Sequence, residues 1–210
     1  MLDGDLKTKW PLLAITQGDP AGIGPEIVAK AFRDAPEELR GCFVVGDLAT
    51  LRRAAQCIER PGLPSLPVAW IERAEDARDG ALPPRCLPVL QPPGLPGPVP
   101  WGQVSAQAGR AAADCVVWAA RAALRGDVDG IVTAPLHKEA LHAAGVHYPG
   151  HTELLQTEAA LHAGVPPGSM PVRMMLANDE LRTVLVSIHV SLREAIERVR
   201  AANVLETLRI

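Results

Sequence analysis

The sequence predicts an α/β protein, and three observations predict it. Short apolar runs alternate along the chain with longer segments of helical periodicity. Glycine and proline punctuate the joins between them. The 210 residues are 48% apolar and 21% charged, enough for both a sizeable core and a solvated surface. Such an alternation builds a parallel sheet with helices packed on it.

Residues 12–16 read as the first strand, followed by the loop Gly18-Asp19-Pro20-Ala21-Gly22-Ile23-Gly24-Pro25. A helix is expected from Pro25, because proline suits a first helical turn, and Ile27, Val28 and Ala31 give it an apolar face. Cys42–Val45 is a second strand ending in Gly46-Asp47, with a helix through Leu51 and Ala55. Val68–Ile71 and Leu87–Leu90 are further strands. Between Leu82 and Trp101 proline is dense, and proline removes ladder donors, so this stretch is expected to be a loop or edge crossing rather than a central strand.

Residues 105–124 form a long alanine-rich helix, and 129–134 a strand ending in Thr133-Ala134-Pro135. Helices are expected at 137–144 and 152–163, separated by a turn that Pro149-Gly150 forces. Residues 172–176 and 183–188 read as a β pair joined at Asn178-Asp179-Glu180. The last helix opens with the capping box Ser191-Leu192-Arg193-Glu194 and carries an apolar stripe of Ala195, Ile196, Val199 and Ala202.

Bulk properties exclude several functions. A formal charge of −3 offers no electrostatic footprint for nucleic acid or an anionic membrane. No apolar run is long enough to span a bilayer, and the acidic start Met1–Lys7 lacks the features of a signal peptide. Cys42, Cys57, Cys86 and Cys115 are scattered without a C-x-x-C pair, which favours reduced, mostly buried thiols in a cytoplasmic protein.

Four places could carry chemistry. The loop at 18–24 invites anion binding by backbone amides. It lacks the Gly-Lys-Ser/Thr of a P-loop, and Gly22-Ile23-Gly24 has no third glycine at Ile27, so a dinucleotide is not held here in the usual way. A tight turn with Asp19 as an Asx-type cap is the preferred alternative. In Gly150-His151-Thr152-Glu153, Thr152 is a natural N-cap, and the dipole at that helix start favours a neutral His151 that could meet a carboxylate or phosphate oxygen. His189 closes the apolar run 184–188, at a strand end where open α/β sheets place ligands. A lone histidine is, however, more often a core residue than a metal ligand. Lys138, at the start of another helix, could reach an anion or a neighbouring subunit, or simply be solvated. His142, His147 and His162 read as structural or exposed.

Singly these signals are weak, but their order is specific. Ile15-Thr16-Gln17-Gly18-Asp19-Pro20-Ala21-Gly22-Ile23-Gly24-Pro25-Glu26 resembles the opening signature of the 4-hydroxythreonine-4-phosphate dehydrogenase family. Thr133-Ala134-Pro135-Leu136-His137-Lys138 looks like its T-[AG]-P-x-[NH]-K segment, and Gly150-His151-Thr152-Glu153 is similar to its substrate-binding G-H-T-E. Met174-Met175-Leu176-Ala177 through Ile188-His189-Val190-Ser191-Leu192-Arg193 resembles the segment with its first metal-binding histidine.

This resemblance implies two α/β/α domains like those of isocitrate and isopropylmalate dehydrogenases, with an active site in the cleft, completed across a homodimer. On that basis residues 1–128 are expected in the first domain and 129–210 at the start of the second. The resemblance also implies oxidation and decarboxylation of 4-hydroxythreonine 4-phosphate to 3-amino-2-oxopropyl phosphate, with NAD and a divalent metal (zinc, magnesium, manganese or cobalt). His151 and Thr152 would bind substrate and His189 the metal, with Asp19 and Lys138 as further anion or substrate contacts.

The family's other metal histidines lie in N-P-H-x-G-E and Y-H-D-Q-G segments, which do not occur in these residues. The chain is therefore expected to be an N-terminal portion, inactive alone. Rival substrates are D-threonate or D-erythronate 4-phosphate and a terephthalate cis-dihydrodiol. Rival classes are a non-catalytic binding or assembly fragment and a phosphate-binding module that uses only the 18–24 loop.

Overall fold

The computed structural model describes residues 10–62, 64–78, 82–83, 85–148 and 150–210. The acidic start at 1–7 and the Pro149 half of the expected 149–150 turn lie outside them.

Five parallel strands form one sheet: β1 (Leu13–Thr16), β2 (Cys42–Val45), β3 (Val68–Ile71), β4 (Leu87–Leu90) and β5 (Gly130–Thr133), in the spatial order β3-β4-β2-β1-β5. β2 and β4 are buried along their whole length, which explains why they read as unbroken apolar runs rather than alternating ones. On one face lie α1 (Gly24–Asp34) and α2 (Leu48–Cys57), whose Val28, Phe32, Leu51 and Ala54 pack on Ile15, Val44, Leu87 and Val89. On the other lies α3 (Ala106–Arg125), whose Cys115, Ala119 and Ala122 meet Ala14, Phe43, Val45 and Leu90. Phe43 also meets Trp118 edge-on, with ring centroids 6.2 Å apart.

α3 is capped at both ends as its sequence dictates. Ser105 accepts a hydrogen bond from the Ala108 amide at 3.1 Å, and Gly126 follows the helix with a φ of +79°. Its alanines are buried within the chain, against the sheet and against α4 (Lys138–Ala143) and α5 (His151–Ala163). Small side chains here serve close helix packing.

The proline-rich stretch departs from expectation, because β4 sits between β3 and β2 despite Pro88. In a parallel ladder alternate amides face alternate neighbours. The Leu87 amide donates toward β3, to the Pro67 carbonyl at 2.8 Å. Pro88 therefore faces β2, ahead of the first registered pair there, Val44 with Val89. The donor that proline lacks is missing only at this end of the β2–β4 ladder, which begins one residue later.

β5 pairs along its whole length with β1, and α4 and α5 pack on α3. The boundary expected at 128/129 thus falls inside this layered unit. Beyond Gly164 the packing thins. The expected β pair is shorter than predicted: β6 (Met175–Ala177) and β7 (Arg182–Val184) form a separate antiparallel hairpin, turned by Asn178, whose side chain accepts from the Glu180 and Leu181 amides. The last helix is two helices, α6 (Leu192–Arg198) and α7 (Ala201–Arg209). Ser191 does cap α6 through the Glu194 amide at 3.3 Å. The expected stripe is not buried, since Ile196 and Val199 are 66% and 68% exposed. Among the described residues no helix is long and apolar enough to cross a membrane.

Candidate functional site at the carboxyl edge of the sheet

The carboxyl ends of β1 and β5 carry two loops that are laced together. The Asp19 amide donates to the Pro135 carbonyl at 2.9 Å, and the Ala134 amide donates to Thr16 at 3.3 Å. Gly18 makes this approach possible, because its φ is +72° and a Cβ there would lie 2.5 Å from the Pro135 oxygen. Asp19, buried, accepts from the Ala21 amide through Oδ1 at 2.9 Å, and its carbonyl accepts from the Gly22 amide at 3.1 Å. It is the Asx-type cap anticipated for this turn. The amides of Ala21 and Gly22 are thereby occupied within the turn.

Gln17 is a site residue that the sequence reading missed. It follows the apolar strand β1 and is fully buried. Its Oε1 accepts from the Asp47 amide at 2.9 Å, and its Nε2 has no partner among the described residues. Thr16 Oγ1 and Thr50 Oγ1 are also buried and unpartnered. Its place in the opening signature and directly after an apolar strand were the signals available for Gln17.

His151 is the first residue of α5, half-buried. The helix N-cap is Gly150, without a side-chain cap bond, so Thr152 is not the cap that was expected. Thr152 sits inside the first turn, half-buried. Burial pushes the His151 pKa down, and a hydrogen bond to the backbone of Ala134 offsets part of that shift. Nε2 is buried without a partner among the described residues.

The shift has a consequence for stability. In the unfolded chain His151 titrates near its ordinary 6.5, and in the folded chain lower. The unfolded state therefore takes up the proton first, and the contribution of neutral His151 is present above 6.5 and lost as pH falls below it. Urea midpoints measured across this window are expected to fall less steeply for His151→Gln than for wild type. Parallel profiles would refute the buried neutral ring.

The other candidates are less engaged. Lys138 is exposed at the start of α4, and His137, not singled out for this, caps that helix by accepting from the Ala140 amide at 3.4 Å. His189 is exposed, with a φ of +55°, beyond β7 rather than at the end of a sheet strand as expected. Among the described residues no three His, Cys, Asp or Glu side chains are grouped to hold a metal. The structure thus brings together the 17–24 loop, the 134–135 loop and His151, and does not bring His189 into a ligand cluster with them. His142, His147 and His162 are exposed, the first two stacked edge-on at 5.1 Å. The cysteines are free, and three of the four are buried.

A parallel sheet covered on both faces, with unsatisfied polar atoms gathered at its carboxyl edge, is the arrangement of α/β ligand-binding proteins. Residues 38–210 match the family of pyridoxal phosphate biosynthetic protein PdxA, and the chain belongs to that family. It is 44% identical over 200 residues to a 4-hydroxythreonine-4-phosphate dehydrogenase of Beijerinckia indica, covering 94% of this chain and 54% of the relative. It is 43% identical over 195 residues to a D-threonate 4-phosphate dehydrogenase of Salmonella typhimurium, covering 91% and 55%. The crystal structure of a 4-hydroxythreonine-4-phosphate dehydrogenase from Burkholderia phymatum superposes with a TM-score of 0.77 at 36% identity, over 95% of this chain and 56% of that one. The chain spans little more than half the length of these relatives.

Proposed function

We propose that this chain carries the hydroxyl-binding part of a dehydrogenase acting on a phosphorylated hydroxy acid. 4-Hydroxythreonine 4-phosphate is the first candidate substrate and D-threonate 4-phosphate the second, the latter favoured by a relative of nearly equal identity. The observation that carries the reading is His151 Nε2, buried at the start of α5 without a partner among the described residues. Its lone pair would accept from the hydroxyl to be oxidised and orient it. Thr152, in the same helical turn, would add a second contact, and Lys138 is in the same carboxyl-edge loop system for a phosphoryl oxygen.

NAD would supply the hydride acceptor, and a divalent metal would polarise the hydroxyl. The residues described here do not fit either group by themselves: there is no three-ligand cluster, and the 18–24 loop lacks the dinucleotide fingerprint. His189 is proposed as one metal ligand, supported by its exposed, left-handed backbone, which is uncommon outside glycine. No step is assigned to a metal or cofactor held by these residues alone. The two-domain dehydrogenase architecture, with a homodimer completing the cleft, belongs to the same proposal. The exposed Met175, Leu176, Leu192 and Ile196 support it as surface that needs a cover. A cytoplasmic location is also proposed, supported by the free thiols.

A substrate panel on the full-length gene product, read by NADH absorbance, tests this. Turnover of a phosphorylated hydroxy acid is expected, with none from the 210-residue chain alone. Turnover of an unphosphorylated cis-dihydrodiol only, or of nothing, would refute it.

A further inference from the structure

The turn that closes α4 sets two histidines side by side. The Val146 amide donates to the Leu141 carbonyl at 3.0 Å, and the Gly145 amide to the His142 carbonyl at 2.9 Å. Gly145 takes the left-handed φ of +74° that this paired helix ending requires. Val146 is buried with Leu141 in the cluster that α3, α4 and α5 share. His142 therefore stands on the last turn of the helix, and His147 directly follows a buried anchor. Backbone hydrogen bonds and packing fix the distance between them, and neither ring is needed to hold it.

The two rings have centroids 5.1 Å apart and planes inclined by 67°. Both residues are exposed, so the rings can turn without disturbing the backbone beneath them. An imidazole nitrogen sits about 2.1 Å from zinc, which places the centroids of two imidazoles sharing one tetrahedral ion about 5 Å apart. The observed spacing already meets that requirement. His147 also borders a cavity of about 380 Å³ whose lining carries one carboxylate, Asp114, and one guanidinium, Arg110. Those two charges offset each other and leave no net repulsion toward a cation.

The geometry points to a metal site separate from the one proposed at His189: His142 and His147 form a two-histidine chelate for a divalent transition ion such as zinc. Imidazole pairs suit zinc, copper and nickel, whereas magnesium prefers oxygen ligands. Among the described residues no third His, Cys, Asp or Glu joins the pair. Water takes the remaining positions, and the ion is held more weakly than in a three-ligand catalytic centre. Bound there, it clasps the end of α4 to the segment that leads into α5, whose first residues are His151 and Thr152. The site uses neither His151 nor His189, so it stands or falls apart from the proposed hydroxyl-binding role.

Isothermal titration of the 210-residue chain with zinc chloride tests this. Saturable binding is expected. His142→Ala and His147→Ala are each expected to weaken it by about tenfold or more, because a chelate loses its local-concentration advantage when either arm is removed. The double variant is expected to bind about as weakly as either single one, the mark of two rings on one ion. Cys57→Ser and His162→Ala, which alter other exposed donors, are expected to bind as wild type. Circular dichroism establishes that each variant is folded. Absence of saturable binding would overturn the inference, and so would loss of the site in Cys57→Ser or His162→Ala. Wild-type affinity in either single histidine variant would reduce the pair to an edge-on ring contact.

Discussion

Gly109→Val is expected to be the most destabilising substitution among the described glycines. Gly109 lies on the face of α3 where α4 crosses, and even a Cβ there would sit 1.9 Å from the Ala140 carbonyl oxygen and 2.3 Å from its carbon. Both are backbone atoms, so no side-chain rotation relieves the overlap. The helices must separate, which opens the cluster of Ala113, Val116, Leu141 and Leu154 behind them. Overpacking of this kind costs about 3 kcal/mol or more, a fall in Tm of roughly 10 °C for a chain of this size. Gly97→Ala is the control: nothing lies within 4 Å of a Cβ there, and the expected change is within about 0.5 kcal/mol. Thermal or urea unfolding of the two variants gives the comparison. A Gly109→Val protein as stable as wild type would mean that α3 and α4 do not meet as described.

His151→Ala, made in the full-length gene product, is expected to lower kcat/KM by about tenfold to a hundredfold. The estimate is the loss of one buried hydrogen bond to a substrate hydroxyl that is left without an acceptor. The effect should be far smaller for Lys138→Ala, because Lys138 is exposed and a solvated charge loses little when removed. The melting temperature of His151→Ala must stay close to wild type for the comparison to report on the site. Equal losses from the two substitutions would remove the special standing of the buried imidazole.

Much of the layered unit was legible in the sequence. Cys42–Val45, Val68–Ile71 and Leu87–Leu90 are short apolar runs between turn residues, and each forms a strand with those bounds. α3 was marked by its run of alanines, and its caps, Ser105 and Gly126, were not singled out. The error over Pro88 arose because a rule about lost donors was applied without knowing which neighbour the missing amide faces. The segment from 172 onward was read worst. Hydrophobic periodicity reports that a face needs cover, and Ile196 and Val199 have the right spacing, yet nothing in the periodicity says where the cover comes from.

The site divides the same way. His151 was legible because Gly150-His151-Thr152-Glu153 is a compact pattern, although its lowered pKa comes from burial, which a local pattern does not report. Gln17 was not legible, because its role depends on the Asp47 amide thirty residues away. Asp19 was anticipated as a local cap, and local hydrogen bonds are what short-range patterns encode best. The metal reading of His189 required partners that these residues do not assemble.

The central claim is that His151 is neutral and offers Nε2 to a substrate hydroxyl. Nitrogen NMR of the 15N-histidine-labelled chain, titrated with D-threonate 4-phosphate, measures this directly. The account predicts a neutral Nδ1–H tautomer at pH 7 in the free protein and a selective shift of the His151 Nε2 resonance as ligand is added. A protonated ring, an Nε2–H tautomer, or a resonance that ignores saturating ligand would contradict it.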